Sequence, residues 1–312
     1  MTKRPASTAG RFRLAAGLDA KIGNTPLVRL RRRAPANGAI LLVKLEGENP
    51  GGSVKDRAAR AIVRAAEATG ELDEHRTLLD ASSGNTGIAY AMLCAARGYA
   101  CEICLPANAS DERRRLLRAY GARIVTTPAD EGSDGAIREA RARAAADPAL
   151  YFYADQYDNP ANARAHYETT APELWRQTRG RITHFVASLG TSGTFTGTGQ
   201  RLRELKDGVT LVAVQPSSPF HGIEGLKHMA TAIVPGIYDP RLADDSALVE
   251  TEEAQREARA LAAEEGLLAG TSGGANVAAA RRVAEAAGPG AVVVTVLPDR
   301  GERYLSEPWW SA

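Results

Sequence analysis

"TLLDASSGNTGIAYAMLCAARGYACEICLP", residues 77–106, passes from a short apolar run through a polar, glycine-bearing turn into a helical pattern, and then into another apolar run. "TLLDA" and "CEICLP" have the length and apolar character of strands buried on both faces, and "GIAYAMLCAARG" between them is rich in helix formers. The same alternation extends outward in both directions. "AILLVKLE" precedes the stretch, and "RIVTT", "ITHFVASLG", "VTLVAVQP" and "GAVVVTVLPD" follow it, with helical segments such as "SDERRRLLRAYG" and "TEEAQREARALAAEEG" between. Doubly buried strands separated by helices predict an α/β fold with mostly parallel sheets. By itself this pattern leaves the function open.

Composition narrows the function by exclusion. The 312 residues are 44% hydrophobic and 24% charged, with a formal net charge of +2, which is within the range of globular proteins. That charge creates no field suited to nucleic acid or an anionic membrane, and no uncharged apolar run is long enough to span a bilayer. The opening "MTKRPASTAGRFR" is basic but is followed by no apolar signal region, so residues 1–16 are expected to be a flexible tail and the protein to be cytoplasmic. Cys94, Cys101 and Cys104 are too few and too odd for a disulfide framework. Cys101 and Cys104 stand three apart on a strand, which sends them to opposite faces, so no metal site is expected.

The loops carry the chemical information. "TLLDA" runs into "SSGNTG", "ITHFVAS" into "LGTSGTFTGTG", and a helical stretch ends in "EGLLAGTSGGAN". Glycine lets backbone N–H groups come close to a ligand, and the start of a following helix favours an anion. "GTSGTFTGTG", residues 190–199, has neither the spacing nor the lysine of a Walker loop, and its glycines miss the dinucleotide order. A small phosphate held by amides and hydroxyls remains. The chain also uses lysine sparingly, at Lys3, Lys21, Lys44, Lys55, Lys206 and Lys227, and places Lys55 at a predicted helix start in "KLEGENPGGSVKDRAAR". An isolated reactive amine together with a phosphate cradle suggests pyridoxal 5′-phosphate, which forms a Schiff base with lysine.

Six ordered motifs, "NPGGSVKDR", "SSGNTG", "DQYDNPANARAHYETTAPELW", "GTSGTFTG", "EGLLAGTSGGA" and "LPDRGERYLS", together resemble the cysteine synthase and cystathionine β-synthase family of fold-type II pyridoxal-phosphate enzymes. The likeness runs from "IGNTPLVRL" at Ile22 to Ser306. It implies two domains, each a mostly parallel twisted sheet flanked by helices, with the active site between them. Residues 1–48 and 160–312 would form the larger, cofactor-binding domain, and residues 49–159 a smaller mobile one.

The resemblance also implies roles for individual residues. Lys55 holds the cofactor and then acts as base on the substrate Cα proton. Gly190, Thr191, Ser192, Gly193 and Thr194 hold its phosphate, Asn85 meets the 3′-hydroxyl, and Ser272 places a hydroxyl against the pyridine nitrogen. A neutral partner there makes the ring a weaker electron sink and suits β-replacement over transamination. Ser82, Ser83, Gly84, Asn85 and Thr86, with Gln156, would receive the substrate carboxylate; the family more often has Thr at the position of Ser82. His166 reads as structural. Lys227, in "SSPFHGIEGLKHM", is expected to meet the phosphate if the donor is O-phosphoserine.

The implied activity is cysteine synthesis in a homodimer: an activated L-serine, O-acetylserine or O-phosphoserine, loses its β-substituent by way of an α-aminoacrylate and takes up sulfide. Cystathionine formation, serine or threonine dehydration, and a non-catalytic binding protein are the alternatives.

Overall fold

A computed structural model describes residues 17–82 and 84–311, so the expected tail over 1–16 lies outside the described residues. In chain order the elements are β1 (Leu27–Arg29), β2 (Ile40–Leu45), α1 (Lys55–Thr69), β3 (Thr77–Ala81), α2 (Asn85–Arg97), β4 (Ala100–Pro106), α3 (Asp111–Ala119), β5 (Arg123–Thr127), α4 (Gly132–Ala146) and β6 (Tyr151–Tyr153). They continue with α5 (Pro160–Ala165), a π-turn (His166–Thr170), α6 (Ala171–Thr178), β7 (His184–Ser188), α7 (Gly193–Leu205), β8 (Thr210–Pro216), β9 (Asp245–Val249), α8 (Thr251–Ala260), α9 (Thr271–Ala287) and β10 (Val292–Leu297).

The strands form two sheets, one in the order β1-β2-β10-β7-β8-β9 and the other in the order β5-β4-β3-β6. Among the strand pairings of the described residues, only β1–β2 is antiparallel. The α/β class with mostly parallel sheets is therefore what the chain adopts. All seven strands expected from the sequence are present. The three unexpected ones, β1, β6 and β9, are short sheet edges, and β9 is largely exposed.

Alternation along each strand divides the apolar residues between two layers. In the larger sheet Val186 and Val293 face the helices α8 and α9, whereas Phe185, Ala187, Val294 and Val296 face α6 and α7. In the smaller sheet Leu78 and Ile103 pack towards α1 and α2, and Leu79 and Ala81 towards α4. Cys101 lies in the first of these layers and Cys104 in the second, as the strand period requires.

A buried charge cluster fixes α1 to the larger sheet's surroundings. Arg57 donates to both oxygens of Glu46 (Nε at 2.7 Å, Nη2 at 2.8 Å) and both of Glu173 (each 2.8 Å), and Lys44 Nζ lies 2.7 Å from Glu173. Thr25 Oγ1 and Asn49 Nδ2 complete the hydrogen bonding of Glu46. Two cations and two anions, each bonded, are the condition under which buried charges are tolerated.

Candidate active site

A cavity of about 620 Å³ lies between the two sheets. Its wall includes Ser82 after β3, Pro106 at the end of β4, Ser188 at the end of β7, and Val296 and Pro298 around the end of β10. These are carboxyl ends of parallel strands, where α/β folds place their ligands. Lys55, the first residue of α1, projects a side chain that lines this cavity. Burial opposes its ammonium form and pulls its pKa below the ordinary lysine value, while Asp299 and Glu46 pull the other way. The lowered pKa makes the free amine, the nucleophilic form, easier to reach than for an exposed lysine.

The turn after β3 is organised by its own hydrogen bonds. Ser82 Oγ accepts from the N–H groups of Gly84 (3.0 Å) and Gly87 (2.9 Å), so its oxygen caps the start of α2. Thr86 Oγ1 donates to Gln156 Oε1 at 2.6 Å, and Gln156 Nε2 donates to Ala81 O at 2.6 Å. Ser82, Asn85, Thr86 and Gln156 all line the cavity. Gly84 does not; it lies under Arg113, whose side chain occupies the space a Cβ would need. Ser83 is outside the described residues.

Both ends of the Asn85 amide are held. Nδ2 donates to Asp299 Oδ2 at 2.7 Å, and Arg303 donates to Oδ1. Tyr304 also donates to Asp299 Oδ2, at 2.6 Å, and Asp299 Oδ1 is buried with no partner among the described residues. Asp299, Arg303 and Tyr304 belong to the motif "LPDRGERYLS", in which no local signal marks their roles. Arg113 was hidden in a run of three arginines that reads as a solvated helix face, and no local signal separates it from its neighbours.

The turn between β7 and α7 faces Lys55's cavity with Gly190, Thr191 and Thr194; Ser192 and Gly193 lie behind it. Ser192 is held at φ 66°, an uncommon conformation for a residue with a Cβ, and its Oγ is buried without a partner among the described residues. The glycines here also answer to protein neighbours. A Cβ on Gly190 would run into Gly225 O, one on Gly193 into Asn162, and one on Gly197 into Ala163 O of α5. Ser272, the second residue of α9, lines the cavity and is 4% exposed.

Lys227 reaches the cavity with protein partners of its own. It lines the cavity but is 7% exposed, and its Nζ donates to Asp134 Oδ1 at 2.7 Å and to Ile233 O at 3.3 Å, with the Tyr157 ring centre 5.0 Å away. Its charge is balanced by a carboxylate. A second ion pair, Arg113–Glu224, lies close by. Both pairs join the "HGIEGLKHM" segment to residues beside the smaller sheet. The arrangement combines an amine, hydroxyl donors, a helix start for a carboxylate and a shielding segment. It can bind a phosphorylated aldehyde and an amino acid together.

A protein-family comparison places residues 18–299 in the family described as "Pyridoxal-phosphate dependent enzyme". The chain is 46% identical over 297 residues to a cysteine synthase of Aquifex aeolicus (strain VF5), covering 93% of this chain and 90% of that one. It is 47% identical over 289 residues to cysteine synthase B of Salmonella typhimurium, with 93% and 94% covered. Among solved structures, O-ureido-L-serine synthase superposes with a TM-score of 0.90 at 44% identity, covering 96% of each chain.

Proposed function

The chain belongs to the pyridoxal-phosphate dependent enzymes, and from that premise we propose that it is a cysteine synthase, replacing the β-substituent of an activated L-serine by sulfide. The observation that carries the reading is the joint placement of Lys55, Asn85, Thr86, Gln156, Thr191, Thr194 and Ser272 on one cavity.

The residues present fit the cofactor. The cavity offers the Lys55 amine, a pair of threonine hydroxyls at the start of α7, and a neutral hydroxyl at the start of α9, while Ser192 Oγ remains a buried polar atom with no partner among the described residues. Its volume suits a ligand of that size. When bound, pyridoxal phosphate supplies the electron sink that acidifies an amino-acid Cα–H and lets a β-substituent leave.

The chain's own groups do the rest. Lys55 Nζ, whose pKa burial lowers, holds the cofactor and takes the Cα proton. The remaining amide hydrogen of Gln156, which Thr86 holds in place, and the free N–H groups at the start of α2 orient the substrate carboxylate. Asn85, clamped by Asp299 and Arg303, lines the cavity with one amide hydrogen left to donate. Ser272 offers a hydroxyl in place of a carboxylate, which keeps the cofactor suited to elimination and replacement. The segment carrying Glu224 and Lys227 lines the cavity beside these groups.

On this reading the segment 49–159 moves as a smaller domain, and the enzyme acts as a cytoplasmic homodimer; family likeness supports these, and light scattering and cell fractionation test the last two. O-Ureido-L-serine is the product named for one structural neighbour, so the fold alone does not choose the nucleophile. The deciding experiment supplies O-acetylserine and O-phosphoserine in parallel with sulfide and scores cysteine. Cystathionine from serine and homocysteine, or 2-oxobutyrate from threonine, formed faster than cysteine from either donor would replace the proposal.

A further inference from the structure

The two threonines that line the phosphate turn are each bonded from behind. Asn162 Nδ2 donates to Gln156 O at 2.7 Å and to Thr191 Oγ1 at 3.0 Å. Since Gln156 O only accepts, the amide's orientation is fixed, and Thr191 Oγ1 must be the acceptor in its own bond. The Thr191 proton is left for a partner on the cavity side. His166, buried in the π-turn, touches Thr170 Oγ1 with Nδ1 (2.9 Å) and Thr194 Oγ1 with Nε2 (3.3 Å). A phosphate is all acceptors, so a hydroxyl that serves it must donate. For Thr194 this requires Nε2 to carry the ring hydrogen and Nδ1 to accept from Thr170.

We propose that Asn162 and His166 are positioning residues that hold Thr191 and Thr194 as hydrogen-bond donors toward the cavity, with His166 as the Nε2–H tautomer, so that the turn selects the phosphate of its ligand. The inference rests on the reading of this turn as a phosphate cradle. Its parts come from one structural unit: α5 and the π-turn carry Asn162, His166 and Thr170, and Gly193 and Gly197 let that unit approach α7 closely. A π-turn re-aims side chains that a regular helix would place elsewhere. Burial and the nearby Arg57 keep the imidazole neutral, with a pKa near 3, and Glu46, Lys55 and Glu173 also face it. A neutral ring has one donor and one acceptor nitrogen, as the relay needs.

Affinities of the full chain for pyridoxal 5′-phosphate and for pyridoxal, which lacks the phosphate, test the idea. Thr170→Val frees Nδ1 to take the ring hydrogen and Asn162→Ala removes the other inner donor. Each should weaken pyridoxal phosphate binding by about tenfold or more, the effect of losing a charge-assisted bond, while changing pyridoxal binding less than about twofold. His166→Gln, which can keep a donor near the Nε2 position, should restore part of the preference that His166→Phe loses. Nitrogen-15 spectra of the loaded, unaltered enzyme should show Nε2 protonated and Nδ1 not. If the unaltered chain binds both ligands equally well, the cradle reading itself fails. If it prefers the phosphate and the Thr170 and Asn162 variants keep that preference, or if Nδ1 carries the hydrogen, the positioning role is overturned.

Discussion

Lys55 is the residue on which the chemistry turns, and two substitutions separate its role from that of its neighbours. Borohydride reduction of the loaded enzyme should fix pyridoxal phosphate to the peptide containing Lys55; fixation on another lysine rejects the assignment. Lys55→Ala should lower kcat by about a hundredfold to ten-thousandfold, the span of positioned acid–base groups, without unfolding the protein. Ser272→Asp places a carboxylate where the buried hydroxyl stands. It should leave the cofactor on Lys55 but reduce cysteine formation on the order of ten- to a hundredfold, because an anion holds the ring nitrogen protonated. Unchanged cysteine output from that variant would mark Ser272 as a turn residue only.

Among the elements, α7 shows two demands acting on one glycine pattern. Its first turn approaches the cavity, and its face toward α5 must be bare, since a Cβ on Gly197 would collide with Ala163 O. Alanine is the better helix former by about 1 kcal/mol, yet overpacking against backbone costs about 1 to 3 kcal/mol, and backbone cannot swing aside as a side chain can. Gly197→Ala should therefore be net destabilising. Urea unfolding reads the outcome, and a variant as stable as the parent would mean that the α5–α7 approach is not as close as the structure has it.

The whole molecule is held across its cavity by charge pairs. Lys227 is paired with Asp134 and Arg113 with Glu224, so the loss of Lys227 should affect closure and not leaving-group recognition. Lys227→Ala is expected to lower kcat/KM for O-acetylserine and O-phosphoserine alike, by about tenfold to a hundredfold for a lost charged hydrogen bond. A loss confined to O-phosphoserine would restore the direct contact expected from the sequence. The Glu46 carboxyl in the buried cluster answers a different question. Burial raises its pKa, but Arg57 and the hydrogen bonds outweigh this and bring it down to about 2. A depressed folded-state pKa contributes stability that is present above pH 4.5 and lost as the pH falls through about 2. Thermal melts over that window should lose about 3 kcal/mol from this group, and Glu46→Gln should be weaker at neutral pH but flatter in acid.

The alternation of apolar and helical runs, the isolated Lys55 and the glycine turns were legible because each depends on near neighbours in the chain: strand period, helix start and turn conformation are local properties. That is why "TLLDA" and "CEICLP" could be read as strands, and why Cys101 and Cys104 could be sent to opposite faces. The edge strand β9 escaped because its residues are exposed and lack a two-faced apolar pattern. Arg113, Asp299 and Arg303 escaped because their partners are far away in sequence. Asn85 meets Asp299 across 214 positions, and nothing beside either residue announces the other. Lys227 shows the same limit from the other side. Its charge could be read from the sequence, but only the approach of Asp134, 93 positions earlier, decides whether that charge is free. Local periodicity and backbone preference determined the elements and the chemistry on offer, whereas packing of the two sheets decided which polar groups face the cavity and which satisfy one another, because buried charges and hydrogen-bonding groups must find partners wherever the fold brings them.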